Sequence, residues 1–318
     1  MAFGLQVSAN FTEKKIKRLI VIEGPTASGK TALSVAVATY FKTIVLSADS
    51  RQFYKEMTIG TAKPSNDELQ GIPHYFIDSH SITDELTASS YARDARALLH
   101  KAFETHPVIV LTGGSGMYVD ALCKGLDDVP VSVEEREKLN QEFEMKGIHP
   151  LLEELERKDP LHFSKIDKFN PMRVIRALEV IRSTGKPFSS FLNKQTTQNE
   201  FEVIRFRIEH PREQLYNRID QRVDEMMKAG LLEEVKTLLP FRDTNVLKTV
   251  GYRELFDYLD GKTDLQEAVH LIKQHTRNYA KRQLTWLRKN QDSTTIAYTT
   301  NEEMCRFILN ELEHREIL

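Results

Sequence analysis

A chain of 318 residues, 40% hydrophobic and 28% charged with a net charge of −2, has the proportions of an ordinary soluble protein and the length of two domains, or of one with a large insertion. No apolar run nears the roughly 20 residues that span a bilayer, and Met1–Asn10 does not read as a secretory signal, so no membrane role is expected. Cys123 and Cys305 are too few and too far apart for a disulfide framework or a zinc site, which leaves a reduced, cytoplasmic enzyme as the expectation.

Residues 1–17 are polar and basic, with Lys14, Lys15 and Lys17, and read as a mobile lead-in. Arg18–Glu23 is the first predicted strand and Ala32–Tyr40 a helix. Between them runs Gly24-Pro25-Thr26-Ala27-Ser28-Gly29-Lys30-Thr31, which fits G-x-x-x-x-G-K-[ST] in the strand–loop–helix context that the motif requires. Glycines let such a loop wrap closely, so that consecutive N–H groups point inward and the helix N-terminus adds positive charge. Lys30 supplies a point cation for a terminal phosphate, and Thr31 can hold a magnesium ion that bridges phosphates. The loop binds a phosphorylated molecule without saying which one.

Thr43–Ala48 reads as a buried parallel strand ending at Asp49-Ser50-Arg51-Gln52. Ligands of open α/β sheets gather at the carboxyl ends of strands, so this tetrapeptide is expected beside the phosphate loop. Asp49 there suits a general base, a magnesium ligand or a substrate clamp, with a turn cap as the structural alternative. Pro73–Ser79 is a further short strand and Ser89–Phe103 an amphipathic helix. Val108–Leu111 is another buried strand, running into Thr112-Gly113-Gly114-Ser115-Gly116. The alternation is that of an α/β fold with a parallel sheet flanked by helices.

Near Asp127 the character changes. Helices are predicted at Glu134–Glu144, Leu151–Lys158 and Pro171–Ser183, broken at Gly147–Pro150, Pro160 and Gly185–Pro187. We read residues 125–200 as an inserted all-helical domain, with 18–124 and 201–318 forming the catalytic core. Glu202–Ile208 returns to strand, then helices dominate: Arg212–Ala229, Leu231–Leu239, Tyr252–Leu259 and Leu265–Asn290, before a last strand at Thr294–Thr299. The segment Gln274–Lys289 is basic throughout. Lys273, Arg277 and Lys281 share one helix face, a stripe that suits either a phosphate backbone or solvent, and Tyr279 and Trp286 fall on a core-packing seam. Arg173 and Arg176, three apart, could together grip one phosphodiester. No histidine spacing suggests a metal site, and no G-x-S-x-G or Cys–His pattern supports a covalent nucleophile.

A small-molecule kinase fits the loop but not the insertion and the basic helix, which call for a large anionic partner. Taken in order, Gly24–Thr31 (GPTASGKT), Asp49–Gln52 with Tyr54, Ile59–Pro64, Pro73-His74, Gly113–Tyr118 (GGSGMY), Arg173–Glu179 (RVIRALE), Val250–Glu254 (VGYRE) and Thr276–Arg288 (TRNYAKRQLTWLR) resemble the bacterial tRNA dimethylallyltransferase family over about residues 18–290. The resemblance implies transfer of a dimethylallyl group from dimethylallyl diphosphate to the exocyclic amine of the adenine beside the tRNA anticodon. The phosphate loop, Gly24 to Thr31, would then cradle the diphosphate of the prenyl donor, with magnesium on Thr31, and would hydrolyse no ATP although such loops are usually nucleotide sites. Asp49, Thr26 and Lys30 take the catalytic positions. The implied tRNA contacts are Asp49, Ser50, Arg51, Gln52, Ser115, Arg136, Met172, Arg173, Val174, Ile175 and Arg176. Ser115 stands where the family usually has Thr, and Met172 where it commonly has Gln. Arg218 and Arg222 are candidates for closing over the diphosphate. The insertion is implied to hold the anticodon stem-loop, and without a Cys-x-x-Cys pattern no zinc finger is expected. A monomer is expected. The alternatives are an adenylate isopentenyltransferase acting on free nucleotide, a P-loop small-molecule kinase, and an RNA-binding protein without catalysis.

Overall fold

The computed structural model describes residues 16–84, 86–127, 129–192 and 199–315; most of the basic lead-in lies outside them. The described residues divide into two compact units. One runs to Cys123 and resumes at Asn199; the other belongs to Lys124–Gln198.

The first unit opens with β1 (Arg18–Glu23), α1 (Lys30–Phe41), β2 (Val45–Ser47), α2 (Asn66–Leu69), β3 (His74–Tyr75), α3 (Ala88–Ala102), β4 (Val108–Gly113) and α4 (Gly116–Lys124). The second unit contains α5 (Val133–Lys146), α6 (His149–Lys158), α7 (Pro160–Phe163) and α8 (Pro171–Thr184). The first then continues with β5 (Glu202–Glu209), α9 (Arg212–Lys228), α10 (Leu231–Thr237), α11 (Tyr252–Leu259), α12 (Leu265–Leu287), β6 (Ser293–Ala297) and α13 (Asn301–His314).

Six strands form one sheet in the order β3-β2-β4-β1-β5-β6, with every neighbouring pair parallel. The central strand β1 is apolar on both sides because helices cover both faces. Successive side chains alternate across it. Leu19 and Val21 face a cluster with Leu46, Ile109, Tyr91 and Leu99. Ile20 and Ile22 face the other cluster with Leu33, Val110 and Phe206, closed by Met304, Ile308 and Leu312 of α13. The fold is therefore the α/β sheet that the sequence pattern predicts.

The differences are local. The strand expected over Pro73–Ser79 shrinks to two residues, because Phe76 and Asp78 take left-handed φ values of 64° and 52° that no strand tolerates. The short helix α2 rests on a capping box between Ser65 and Glu68, and the unforeseen α13 on one between Thr300 and Glu303. Where the chain leaves and re-enters the first unit, the Asn199 side-chain amide donates to the Cys123 carbonyl at 2.6 Å.

The second unit has its own small core, in which Leu139, Leu151 and Leu155 meet Val174, Ile175, Leu178 and Ile181 of α8. Inside that unit Glu179 is fully buried. Its carboxylate accepts from the Ser132 N–H at 2.9 Å, from Arg136 Nε at 2.8 Å and from the Arg176 guanidinium. A buried carboxylate is tolerable only with its lone pairs met in this way.

One close approach tests the sheet. A Cβ on Gly113 would sit 2.5 Å from the Ala48 carbonyl oxygen, a backbone atom that cannot step aside. Gly113→Ala should cost about 1–3 kcal/mol through overpacking and lower the melting temperature by several degrees, measured by thermal denaturation.

Candidate active site

The phosphate loop follows β1 and ends at Gly29, whose φ of 86° suits glycine and which caps α1 without a side-chain hydrogen bond. No acidic residue occupies the first turn of α1. The positive end of the helix dipole is thus left for an anion. Ala27 adopts a left-handed φ of 62°, and its carbonyl accepts from Arg218 Nε at 2.8 Å. The Ser28 carbonyl lies 3.0 Å from His210 Nε2, and the His210 ring stacks on Tyr298 at 3.9 Å. From the other side Gln283 accepts from the Thr26 N–H at 2.8 Å and donates to the Gly114 carbonyl at 2.8 Å. The loop is held from outside while its interior faces a cavity of about 680 Å³.

Thr26, Lys30, Thr31, Asp49, Ser50, Arg51 and Gln52 all line that cavity. The Lys30 ammonium donates to the Pro25 carbonyl at 2.6 Å. Burial lowers its pKa to about 8, against the opposing pull of Asp49. The Asp49 carboxylate accepts from the Arg51 N–H at 3.0 Å, the turn-capping bond that the sequence offers as the structural alternative, while the residue also lines the cavity. Ser115 Oγ accepts from the Ser50 N–H at 3.0 Å and donates to Ser50 Oγ at 3.0 Å, tying the two strand ends together. The Gln52 side-chain amide donates to the carbonyls of Thr61 and Ala62 at 3.2 and 3.1 Å. Tyr279 stands beside this group with its phenol pushed up to about 12, by burial first and by Asp49 second.

Cations dominate the lining. Lys30, Arg51, Arg218, Arg222, Lys248, Arg253 and Arg282 face it against Asp49 and Glu68. Arg222 makes no ion pair among the described residues, and burial together with Arg218 lowers its pKa, so an anion in the cavity would relieve it. Helices α9 and α12 run side by side here, joined by Asp220–Arg277 and Asp224–Lys273. These two pairs correct the reading of a continuous basic stripe, because Lys273 and Arg277 are answered by acids of α9. Trp286 also departs from expectation: it is exposed, not packed in a core seam.

Arg136 and Met172–Arg176 belong to the second unit. There the helical period separates them. Val174 and Ile175 are buried in that unit's core, so their side chains are not available to RNA. Arg136 and Arg176 are engaged by Glu179, and Arg176 also donates to the Val129 carbonyl at 3.1 Å. Arg173 and Arg176 therefore do not form the expected two-pronged grip; Met172 and Arg173 are the exposed members.

Sequence reasoning missed Gln283, His210, Tyr298 and Glu234. Gln283 had a signal, since it falls on the buried stripe Ile272, Ala280, Leu287 of α12, where a polar residue must have a partner. Glu234 accepts from the N–H groups of Thr58, Ile59 and Gly60 at 3.0, 2.6 and 3.0 Å and shapes the loop that borders the cavity.

The sequence profile of the IPP transferase family matches residues 52–290. The tRNA dimethylallyltransferase 1 of Bacteroides thetaiotaomicron is 46% identical over 298 residues, covering 93% of this chain and 97% of its own. The tRNA dimethylallyltransferase of Cytophaga hutchinsonii is 48% identical over 277 residues, covering 87% of this chain and 91% of its own. Among solved structures, the full-length tRNA isopentenylpyrophosphate transferase of Bacillus halodurans is similar with a TM-score of 0.69 and 34% identity, over 94% of this chain and 98% of that one. A eukaryotic dimethylallyltransferase acting on tRNA has a TM-score of 0.77 at 25% identity, over 94% of this chain and 80% of that one.

The cavity's electrostatics give a pH test. An anion at the loop favours charged Lys30, whose pKa is about 8 before binding. Binding then takes up a proton as pH rises through that value, and so it weakens. Calorimetry of inorganic diphosphate binding should show affinity falling from pH 7 to 9.5. Lys30→Met, measured in parallel to subtract the ligand's own titration, should lose that slope along with most of the affinity.

Proposed function

The chain belongs to the IPP transferase family, and on that premise we propose that it transfers a dimethylallyl group from dimethylallyl diphosphate to the exocyclic amine of the adenine 3′-adjacent to the tRNA anticodon, giving N6-isopentenyladenosine. The observation that carries this reading is one cavity lined by both the phosphate loop with Lys30 and the strand-end carboxylate Asp49. An anion-stabilising group and a proton acceptor thus share one space. The relatives are named for tRNA, which supports tRNA as acceptor over a free nucleotide or a small phosphoryl acceptor.

The amine nitrogen attacks the allylic carbon of the donor as the bond from that carbon to the diphosphate oxygen breaks, its electron pair leaving with the oxygen. Negative charge grows where the loop N–H groups, Lys30 and Arg222 converge, and preorganised donors there lower the barrier. Thr26, the loop residue whose position Gln283 fixes, faces the departing oxygen. The lone pair of an adenine amine is delocalised into the ring, so loss of its proton to Asp49 helps the attack. Reaching this recess takes the base out of its stack.

A magnesium ion fits the donor chemistry. The Thr31 hydroxyl and the Asp49 carboxylate line the same cavity. No cluster of three His, Cys, Asp or Glu among the described residues could hold an ion unaided. The ion would therefore arrive with the diphosphate and keep water ligands, and it would offset charge on the departing phosphates.

Residues 125–200 act in this reading as the arm for the anticodon stem. Met172 and Arg173 meet the RNA, while Arg136 and Arg176 position α8 through Glu179. Ser50, Arg51, Gln52 and Ser115 shape the adenine's recess. The enzyme works as a cytoplasmic monomer; both cysteines are free thiols, and no helix among the described residues is long and apolar enough to cross a membrane.

Mass analysis of nucleosides from tRNA incubated with enzyme and donor should reveal the prenylated adenosine; unmodified tRNA would overturn the reading. Asp49→Ala should lower kcat by about 10²–10⁴-fold with far less change in tRNA affinity, by steady-state kinetics and filter binding. Arg173→Ala should reduce the slope of log affinity against log salt by about one.

A further inference from the structure

Helix α12 turns Tyr279, Arg282 and Gln283 toward the cavity. One turn beyond Arg282, the same stripe reaches Trp286, which lies outside the cavity lining and is 37% exposed. Exposure does not leave it loose. Its indole Nε1 donates to Asp120 Oδ2 at 3.2 Å, and Asp120 Oδ1 accepts from the buried Arg205 at 2.8 Å. The ring edge also lies against the backbone of Gly116, where a Cβ would come within 2.2 Å of Trp286 Cδ1.

The result is a large aromatic surface fixed at an edge and open to solvent. The chain on either side of it in sequence is basic. Arg282, Arg288 and Lys289 make no ion pair among the described residues, and Lys289 Nζ stands 5.9 Å from the indole centroid. The same place is linked to the acceptor site through few bonds. Gly116 follows Ser115, Ser115 is hydrogen-bonded to Ser50, and Ser50 follows Asp49.

A held aromatic surface with Lys289 beside it, on a chain segment whose cations Arg282 and Arg288 make no ion pair among the described residues, suits a ligand that is both flat and anionic, which is the chemistry of a single-stranded nucleotide. Resting on the tRNA reading above, we propose that Trp286 is a stacking platform for an unpaired anticodon-loop base neighbouring the adenine held at Asp49, with Arg288 and Lys289 pairing the flanking phosphates. Trp286 thereby holds the neighbour while the target base is turned into the cavity. It touches no reacting atom, so its effect falls on RNA binding and not on the chemical step.

Trp286 is the chain's one tryptophan, so the native protein reports on itself. The full chain is titrated with an unmodified anticodon stem-loop RNA while indole emission is followed, with binding tracked independently by filter retention. Stacking requires emission to be quenched as RNA binds, and unchanged when inorganic diphosphate alone is added. Trp286→Ala should raise KM for RNA about tenfold or more, leave KM for the donor and kcat within about twofold, and be rescued largely by Trp286→Phe. Unchanged emission with RNA bound overturns the proposal, as does an unchanged KM in a folded alanine variant. If that variant fails to fold, the native titration decides alone. Prenylation of the RNA without quenching sinks the stacking platform only, whereas absence of prenylation sinks the functional reading beneath it. A site meant for a protein partner would give that same unchanged emission.

Discussion

A loop that turns its N–H groups inward to hold an anion must have its remaining backbone groups satisfied from outside, and the side-chain amide of Gln283 meets that demand at both strand ends. Its oxygen takes the Thr26 N–H and its nitrogen serves the Gly114 carbonyl. An orphaned buried amide costs about 1–3 kcal/mol, so α12 is anchored to the phosphate loop by more than apolar contact. Arg218 and His210 do the same for the carbonyls of Ala27 and Ser28. The loop's geometry, encoded near the start of the chain, is thus completed by residues near its end.

Carboxylates repeat this pattern elsewhere. Glu234 gathers three consecutive N–H groups and the Tyr252 hydroxyl, and burial, joined by the Glu234 charge, drives the Tyr252 phenol well above its ordinary range. Glu254 closes the N-terminus of α11 through the Gly251 N–H at 2.8 Å and orients His275 at 2.6 Å. Glu179 has the corresponding place in the second unit. Each is an acid in a helix, and each fixes backbone N–H groups outside regular hydrogen bonding.

What the chain discloses before folding follows from how local its causes are. The phosphate loop and the buried strands β1, β2 and β4 are legible because their spacing and apolar runs are contiguous. Asp49 is legible because strand ends are where such sheets bind. Positions in a motif are less reliable guides to contact: Val174 and Ile175 sit between arginines yet are core residues, since a helix turns 100° per residue. Arg176 and Arg277 look like free cations until the buried Glu179 and the neighbouring Asp220 are seen. Those partners are 3 and 57 residues away, and only the tertiary fold pairs the second. Gln283 stands in a basic run, and its two partners, Thr26 and Gly114, are 257 and 169 residues away.

The bond between Asn199 and the Cys123 carbonyl has a bearing on how this chain can change. It pinches the stem of an excursion, so the first unit meets the intervening sequence as a closed loop with fixed ends. Closing such a loop grows more costly only with the logarithm of its length, about 0.6 kcal/mol per doubling. The first unit can therefore keep one geometry while the segment between those two residues is lengthened, shortened or replaced, and change in the second unit need not disturb the sheet or the cavity at its strand ends.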